Sequence, residues 1–513
     1  MAKKNLTEPS LDFTSGILHL RRLGIDTHQE PVVYLHRESE VCRSEGFAAQ
    51  SRVLITTKSR RIIATLNIVH DQIISKGEAG LSEAAWSLLD AREGEPAKFS
   101  HPEPVESLSH VRAKMYGHPF EEEHLGHIIQ DIHGGRYADV HLASFITVCG
   151  GDQLSLEEIN SLTEAMVAVG DKLNWSQTPV VDKHSVGGLP GNRTTLIIVP
   201  ILTAFGLTMP KTSSRGITSP AGTADTMETL APIRLTLGEM RKVVAQEGGC
   251  IVWGGGVHLS PTDDTLIRVE RALEIDSEGQ MAASVLSKKI AAGSTHVLLD
   301  IPVGPTAKVR SQAAADKLVG ILETVGKRQG LVLRALTTDG SQPVGRGIGP
   351  ALEARDVLAV LRDEAGAPED LRFRALQLAG ALLELSGRVE PGQGVQQARS
   401  ILKSGQAWKK FQAIARAQGG LREAGEAPFT QEIPSPRAGK VSGMNNRKLS
   451  RLAKLAGAPE DKTAGIYLKV KLGDPVEAGQ ALMVLHAESK GELAYALNYL
   501  ALHEDIITVE APL

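Results

Sequence analysis

Between residues 14 and 68 the apolar positions alternate with polar ones or gather in short β-branched runs: GILHLRRLGI, PVVYLHR, SRVLITTKS and RRIIATLNIV, each closed by a polar turn. Alternation at period two predicts half-buried strands. LSEAAWSLLDA then reads as a helix entered from a Ser82 cap. The stretch REGEPAKFSHPEPVESL is rich in proline and charge and predicts a boundary near residue 95. From 105 to 178 the apolar residues recur at helical spacing. There EEEHLGHIIQDIHGG ends in a glycine pair suited to a C-cap, and SLEEINSLTEAMVAVGDKL opens with Ser155 and carries Glu158 three residues later, the pattern of a capping box.

Beyond Val180 short apolar strands alternate with helices. PVVDKHSVGG, MPKTSSRG, CIVWGGG, THVLLDIPVG and ALTTDGSQPVGRGIG read as strands running into loops, and NRTTLIIVPILTAFGL as an apolar helix. Such alternation predicts an α/β core with a mainly parallel sheet. LSPTDDTLIRVERAL and GQMAASVLSKKIAAG are helices between those strands, able to join the earlier ones. From about 428, strands with glycine turns alternate with two helices, NNRKLSRLAKLAG and KGELAYALNYLAL. The expected fold class is therefore α/β: a mainly parallel sheet core with a discontinuous all-helical domain, a β-rich N-terminal domain and a small α+β C-terminal domain. The expected boundaries are 1–95 for the β-rich domain, 96–178 plus about 258–292 for the helical one, 179–257 plus about 293–425 for the α/β one, and 426–513 for the last.

Composition narrows the class further. A chain of 513 residues with 42% hydrophobic content builds cores of ordinary size. Its net charge of −4 carries no basic bias toward nucleic acid. Three cysteines, Cys42, Cys149 and Cys250, show no metal-like spacing and fit a reducing compartment. The opening MAKKNLTEPSLDF lacks the apolar run of a signal peptide, and no stretch of about eighteen apolar residues appears. The expectation is a soluble cytoplasmic protein that binds neither membrane nor nucleic acid.

Two loops concentrate polar chemistry. In the first, Asp182-Lys183-His184-Ser185-Val186-Gly187-Gly188 ends a strand, and Pro190-Gly191-Asn192-Arg193-Thr194-Thr195 opens a helix. Free N–H groups at a helix start, glycines that admit a ligand to the backbone and a lysine make an anion site. In the second, Lys211 to Thr223 holds six hydroxyls in thirteen residues, donors able to hold phosphate oxygens without a metal. Loops at the C-terminal ends of parallel strands converge on one crevice. Each loop also has a plainer reading, as a turn or a polar surface. A third group is Arg268, Asp276, Ser284 and Lys288; Ser284 and Lys288 share a helix face that suits a flat heterocycle or simply solvent. No metal site is expected: His118, His124, His127 and His133 crowd one helical region without cysteines or a carboxylate pattern. Gly345-Arg346-Gly347-Ile348-Gly349 lacks dinucleotide-fingerprint spacing.

Taken together, VDKHSVGGLPGNRTT, KTSSRGITSPAGTADTMETL, ASVLSKK and DGSQPVGRGIGPALEA resemble the thymidine/pyrimidine-nucleoside phosphorylase family, and within it the long branch of the AMP phosphorylases. The resemblance implies an enzyme that splits an N-glycosidic bond with inorganic phosphate as co-substrate and no cofactor. Lys183, Ser185, Thr195, Ser213 and Thr223 would hold phosphate. His184, Arg268, Ser284 and Lys288 would hold the base. Gly188, Ser214, Arg215, Gly216, Ile217, Thr218, Ser219 and Thr223 match AMP-binding positions. Asp276 matches a proposed proton donor, and protonated His184 is the alternative. Arg193 or Arg215 would supply donors for a 5′-phosphate, so a nucleoside 5′-monophosphate is expected to outcompete the free nucleoside. The resemblance also implies a homodimer or higher homo-oligomer. Two other readings stay open: a magnesium-dependent phosphoribosyltransferase of related fold, such as the anthranilate enzyme, and a non-catalytic nucleotide sensor.

Overall fold

The computed structural model describes residues 16–511 except 217, 218, 258, 274 and 276. By contact density the chain divides into two compact units, 1–120 with 127–148 and 121–126 with 149–513.

The first unit is built on a closed six-stranded barrel. Its strands are β1 (Ile17–Arg22), β2 (Val32–His36), β3 (Arg52–Thr56), β4 (Arg61–Val69), β5 (Glu78–Leu81) and β6 (Pro96–Ser100), in the order β1-β5-β2-β4-β3-β6. Alternation does what the sequence predicts: Val53 and Ile55 of β3 point into a core shared with Leu20, Leu35, Leu66 and Phe99. Ser82 caps the helix Glu83–Leu89, its Oγ accepting from the Ala85 amide at 3.3 Å. Two strands carry no clear sequence signal. β5 is four residues long and includes Gly80, where a Cβ would lie 2.5 Å from Ile74. β6 sits inside the proline- and charge-rich stretch expected to be a linker. β5 is fixed by its pairing with β1 and β2, and β6, which buries Ala97 and Phe99 in alternation, by its pairing with β1 and β3. The helices Leu108–Met115 and Asp139–Val148 belong to this unit as well.

The second unit carries the chemistry. Its strands β7 (Val181–Ser185), β8 (Met209–Ser213), β9 (Gly249–Trp253), β10 (His296–Val303) and β11 (Val332–Asp339) pair only in parallel. β11-β10-β7 form one ladder and β8-β9 another, joined by the bridge Val180–Thr208. The helix Thr195–Phe205 is apolar on every side and is buried through Thr203, as an all-round hydrophobic helix must be. It packs against the helices Glu369–Leu385 and Gln406–Ala417. The helix Leu156–Ala168 starts from the Ser155–Glu158 capping box and packs against the helix Glu278–Ala291. The last region adds a two-residue strand β12 (Gly347–Ile348) and strands β13 (Phe429–Pro434), β14 (Gly439–Met444), β15 (Gly465–Leu468), β16 (Pro475–Val476), β17 (Ala481–Ala487) and β18 (Ile507–Glu510). They form two sheets, β12-β15-β17-β13 and β16-β14-β18. Among the described residues no helix is long and apolar enough to cross a membrane.

Candidate active site

β7 delivers Lys183 and Ser185 to the C-terminal edge of the parallel ladder, where the chain turns into the helix Thr195–Phe205. Gly187 and Gly188 take φ of +145° and +59°, a region that L side chains avoid. Gly191 is required by proximity: a Cβ there would lie 2.2 Å from Ser185 Oγ and 2.9 Å from Asp300 Oδ2.

Lys183 is almost wholly buried. Its Nζ donates to Thr194 Oγ1 at 2.8 Å and lies 3.6 Å from the Asp300 carboxylate. Burial lowers its pKa to about 8 against the opposing pull of Asp300. Asp300, 0% exposed on β10, accepts from Ser185 Oγ at 2.8 Å and from Thr338 Oγ1 at 2.6 Å. Arg374 donates to the carbonyls of Pro190 and Asp339 and to Thr338. One carboxylate on β10 thus organises a lysine and two hydroxyls from the strands on either side, β7 and β11. Asp300, Thr338 and Arg374 were not among the residues expected from sequence. The available signal was an acidic residue inside the apolar strand VLLDIPV, where an unpaired charge is not tolerated.

The second loop closes on the first. Asn192 Nδ2 donates to the Ala221 carbonyl at 2.8 Å, Thr223 Oγ1 donates to the Asn192 carbonyl at 3.3 Å, and Lys211 Nζ donates to the Lys183 carbonyl at 2.9 Å. Ser213 ends β8 and Thr223 begins the short helix Thr223–Glu228. Lys183, Ser185, Thr195, Ser213 and Thr223 therefore belong to two loops that touch. Gly216 and Gly222 amides both donate to Asp225 Oδ2, which holds the loop's neck.

Behind the site lies a buried ion cluster. Asp182 meets Lys211 Nζ at 3.1 Å and Lys289 Nζ at 2.7 Å. The two lysines outweigh the cost of burial and keep Asp182 ionised, while burial lowers Lys289 to about 7. His184 faces this cluster. Burial first, then Lys289, Lys211, Lys288 and Lys183, hold its pKa well below 6.5. The imidazole is neutral at pH 7, which counts against protonated His184 as the acid and leaves it a hydrogen-bonding group. Ser284 and Lys288 lie on the helix Glu278–Ala291, and Lys288 Nζ pairs with Asp263 at 2.5 Å. Asp263, with Asp264 and Glu270, raises the Lys288 pKa against burial, so this lysine is a cation at neutral pH. Arg268 is on the helix Pro261–Leu273. Asp276, Ile217 and Thr218 lie outside the described residues.

Both arginines expected to serve a 5′-phosphate are occupied. Arg193, 1% exposed, meets Asp356 at 3.2 Å and Glu353 at 3.3 Å and donates to the Gly347 carbonyl. It points away from solvent because the helix Pro350–Leu361 offers two buried carboxylates. Arg215 is bound to Glu228 by both terminal nitrogens and to Asp225 by one, and stacks on Trp253. Arg193→Ala is expected to cost about 3 kcal/mol, the scale for breaking a buried pair. Glu353, pushed up to about 7 by burial, can take a proton, whereas Asp356 loses its guanidinium partner and keeps the Arg346 and Gly347 amides. An unchanged urea midpoint would contradict this role.

The fold defines an α/β protein in which two polar loops meet at the C-terminal edge of a parallel sheet. Residues 177–408 match the family model described as glycosyl transferase family, a/b domain, and residues 440–503 that of the pyrimidine nucleoside phosphorylase C-terminal domain. Proteins named "putative thymidine phosphorylase" from Hahella chejuensis, Polaromonas sp. and Legionella pneumophila strain Paris are 58%, 58% and 57% identical. The alignments cover 96%, 98% and 96% of this chain and 98%, 98% and 96% of theirs, so the likeness spans every region described above. The chain belongs to the thymidine/pyrimidine-nucleoside phosphorylase family, and with it to the pentosyltransferases. Among solved structures, anthranilate phosphoribosyltransferase from Thermus thermophilus aligns over 60% of this chain and 98% of its own, with a TM-score of 0.49 and 18% identity, too remote to bear on chemistry.

Proposed function

We propose that the protein cleaves the N-glycosidic bond of a nucleoside or nucleoside 5′-monophosphate with inorganic phosphate. The observation that carries this reading is the junction of the two polar loops around Lys183, with Asp300 holding the lysine and Ser185 together. A phosphate oxygen attacks C1′ from the face opposite the base. The C1′–N bond breaks and its electron pair leaves on the base nitrogen, which needs a proton or a strong hydrogen bond. The products are the free base and an α-sugar 1-phosphate, or ribose 1,5-bisphosphate from a ribonucleoside monophosphate. The lysine and hydroxyls act by placing the phosphate in line and by charge complementarity. Neutral His184, Ser284, Arg268 and cationic Lys288 are the base-side donors. Asp276 is the proton donor in this reading.

The reading needs inorganic phosphate as co-substrate and neither metal nor organic cofactor. It goes with a discontinuous helical domain of about 96–178 plus 258–292, a homodimer or higher homo-oligomer, and a cytoplasmic location. With Arg193 and Arg215 committed to carboxylates, preference for a 5′-phosphate rests on the resemblance of Gly188, residues 214–219 and Thr223 alone. A panel of nucleosides and their 5′-monophosphates, read by base release with and without phosphate and magnesium, tests the proposal. Phosphate-dependent, magnesium-independent release is expected, with a higher kcat/KM for the monophosphate. Thymidine turned over equally well would overturn the preference alone; no release from any substrate would overturn the phosphorylase.

A further inference from the structure

The phosphate loop does not end in its own domain. Leu189, between Gly188 and Pro190, is 3% exposed and is buried in the core of the C-terminal region with Ile348, Val441, Leu449 and Ile466. The residues that follow it hold the site's cations: Gly191 and Thr194 accept from the Lys183 ammonium, and the Pro190 carbonyl accepts from Arg374. β12 pairs with β15, setting Ile348 opposite Ile466. Asn446 Nδ2 donates to the Gly340 carbonyl at 3.0 Å, just beyond the end of β11. On the second loop, Lys462 Nζ lies 3.1 Å from Glu228 and 3.7 Å from Asp225. These are the carboxylates that hold Arg215 and, through Asp225, the amides of Gly216 and Gly222.

We infer that the C-terminal domain is a working part of the phosphate site, positioning the first loop by burying Leu189 and bracing the second through Lys462. A loop with two positive-φ glycines has many conformations. A leucine locked in a close-packed core selects one of them. Lys183 and the hydroxyls then meet phosphate without first having to order the loop. Leu189 and Lys462 are positioning residues, since Leu189 lies in the C-terminal core and Lys462 pairs with Glu228 and Asp225, so each acts through the loop it holds. The inference rests on the phosphorylase reading for its kinetic test but not for its binding test.

In the full-length protein, Leu189→Ala is expected to raise KM for phosphate about tenfold while KM for the nucleoside stays within about twofold, the mark of a displaced loop. Leu189→Met, which refills the slot, is expected to restore it. Lys462→Met removes the partly exposed ammonium that pairs with Glu228 and Asp225 and is expected to raise the same KM about threefold. Isothermal titration of wild type and both variants with inorganic phosphate is expected to show the same order of affinities. If wild type releases no base yet Leu189→Ala weakens phosphate binding, the brace stands and the phosphorylase reading falls. Unchanged phosphate affinity in Lys462→Met together with either unchanged affinity or a parallel rise in both KM values in Leu189→Ala overturns the inference. Should Leu189→Ala not fold, an unchanged affinity in Lys462→Met overturns it alone.

Discussion

Lys183→Met is expected to lower kcat/KM for phosphate by about 10³-fold, the scale for losing one preorganised charged donor from a site closed to water. The substitution keeps the length of the stem and removes the ammonium. Neighbouring cations are committed elsewhere: Arg374 to Thr338, Pro190 and Asp339, Lys211 to Asp182 and the Lys183 carbonyl, and Lys289 to Asp182. Lys183→Arg is expected to rescue little, because a planar guanidinium fork does not reproduce a compact ammonium held by Gly191, Thr194 and Asp300. Steady-state kinetics with phosphate and nucleoside varied in turn measures both. A loss below tenfold in the methionine variant would remove Lys183 from the phosphate site.

Asp300→Asn has the second largest expected effect, and pH reveals it. The cation is the form of Lys183 that attracts phosphate, and burial brings its pKa down to about 8. In the wild type, kcat/KM for phosphate should therefore be highest below that value and fall as pH rises through it, since this parameter reports free-enzyme ionisations. The Asp300 charge opposes the fall in the Lys183 pKa. Asparagine keeps the shape and can still accept from Ser185 or Thr338, but the charge is gone. The alkaline limb should move to lower pH, and activity at pH 7.5 should drop about tenfold or more. A variant with a lower Tm but the wild-type limb would make Asp300 a packing residue only.

Much of the site was legible because its signals are local. A strand, a glycine pair and a helix start within residues 181–195 identify the first loop, and the hydroxyl run of 211–223 the second. The Ser82 cap, the Ser155 capping box and the wholly apolar helix Thr195–Phe205 were equally readable, since each depends on contacts within a turn or on a single period. Arg193 and Arg215 misled for the complementary reason. A guanidinium beside a phosphate loop reads as a ligand group until its partners are known, and those lie far along the chain at Glu353 and Asp356, or across the loop at Asp225 and Glu228.

The sequence by itself determined most of the strands and helices other than β5 and β6, the parallel core and the positions of the two loops, because hydrophobic period, caps and glycine act over a few residues. Only the tertiary structure decided what those loops become. Asp300 is 115 residues from Ser185, and Leu189 is buried in a core whose other members include Val441 and Ile466. A buried carboxylate must find its donors and an apolar loop tip must find its pocket wherever the chain brings them. That meeting depends on packing over the whole domain, which no local pattern encodes.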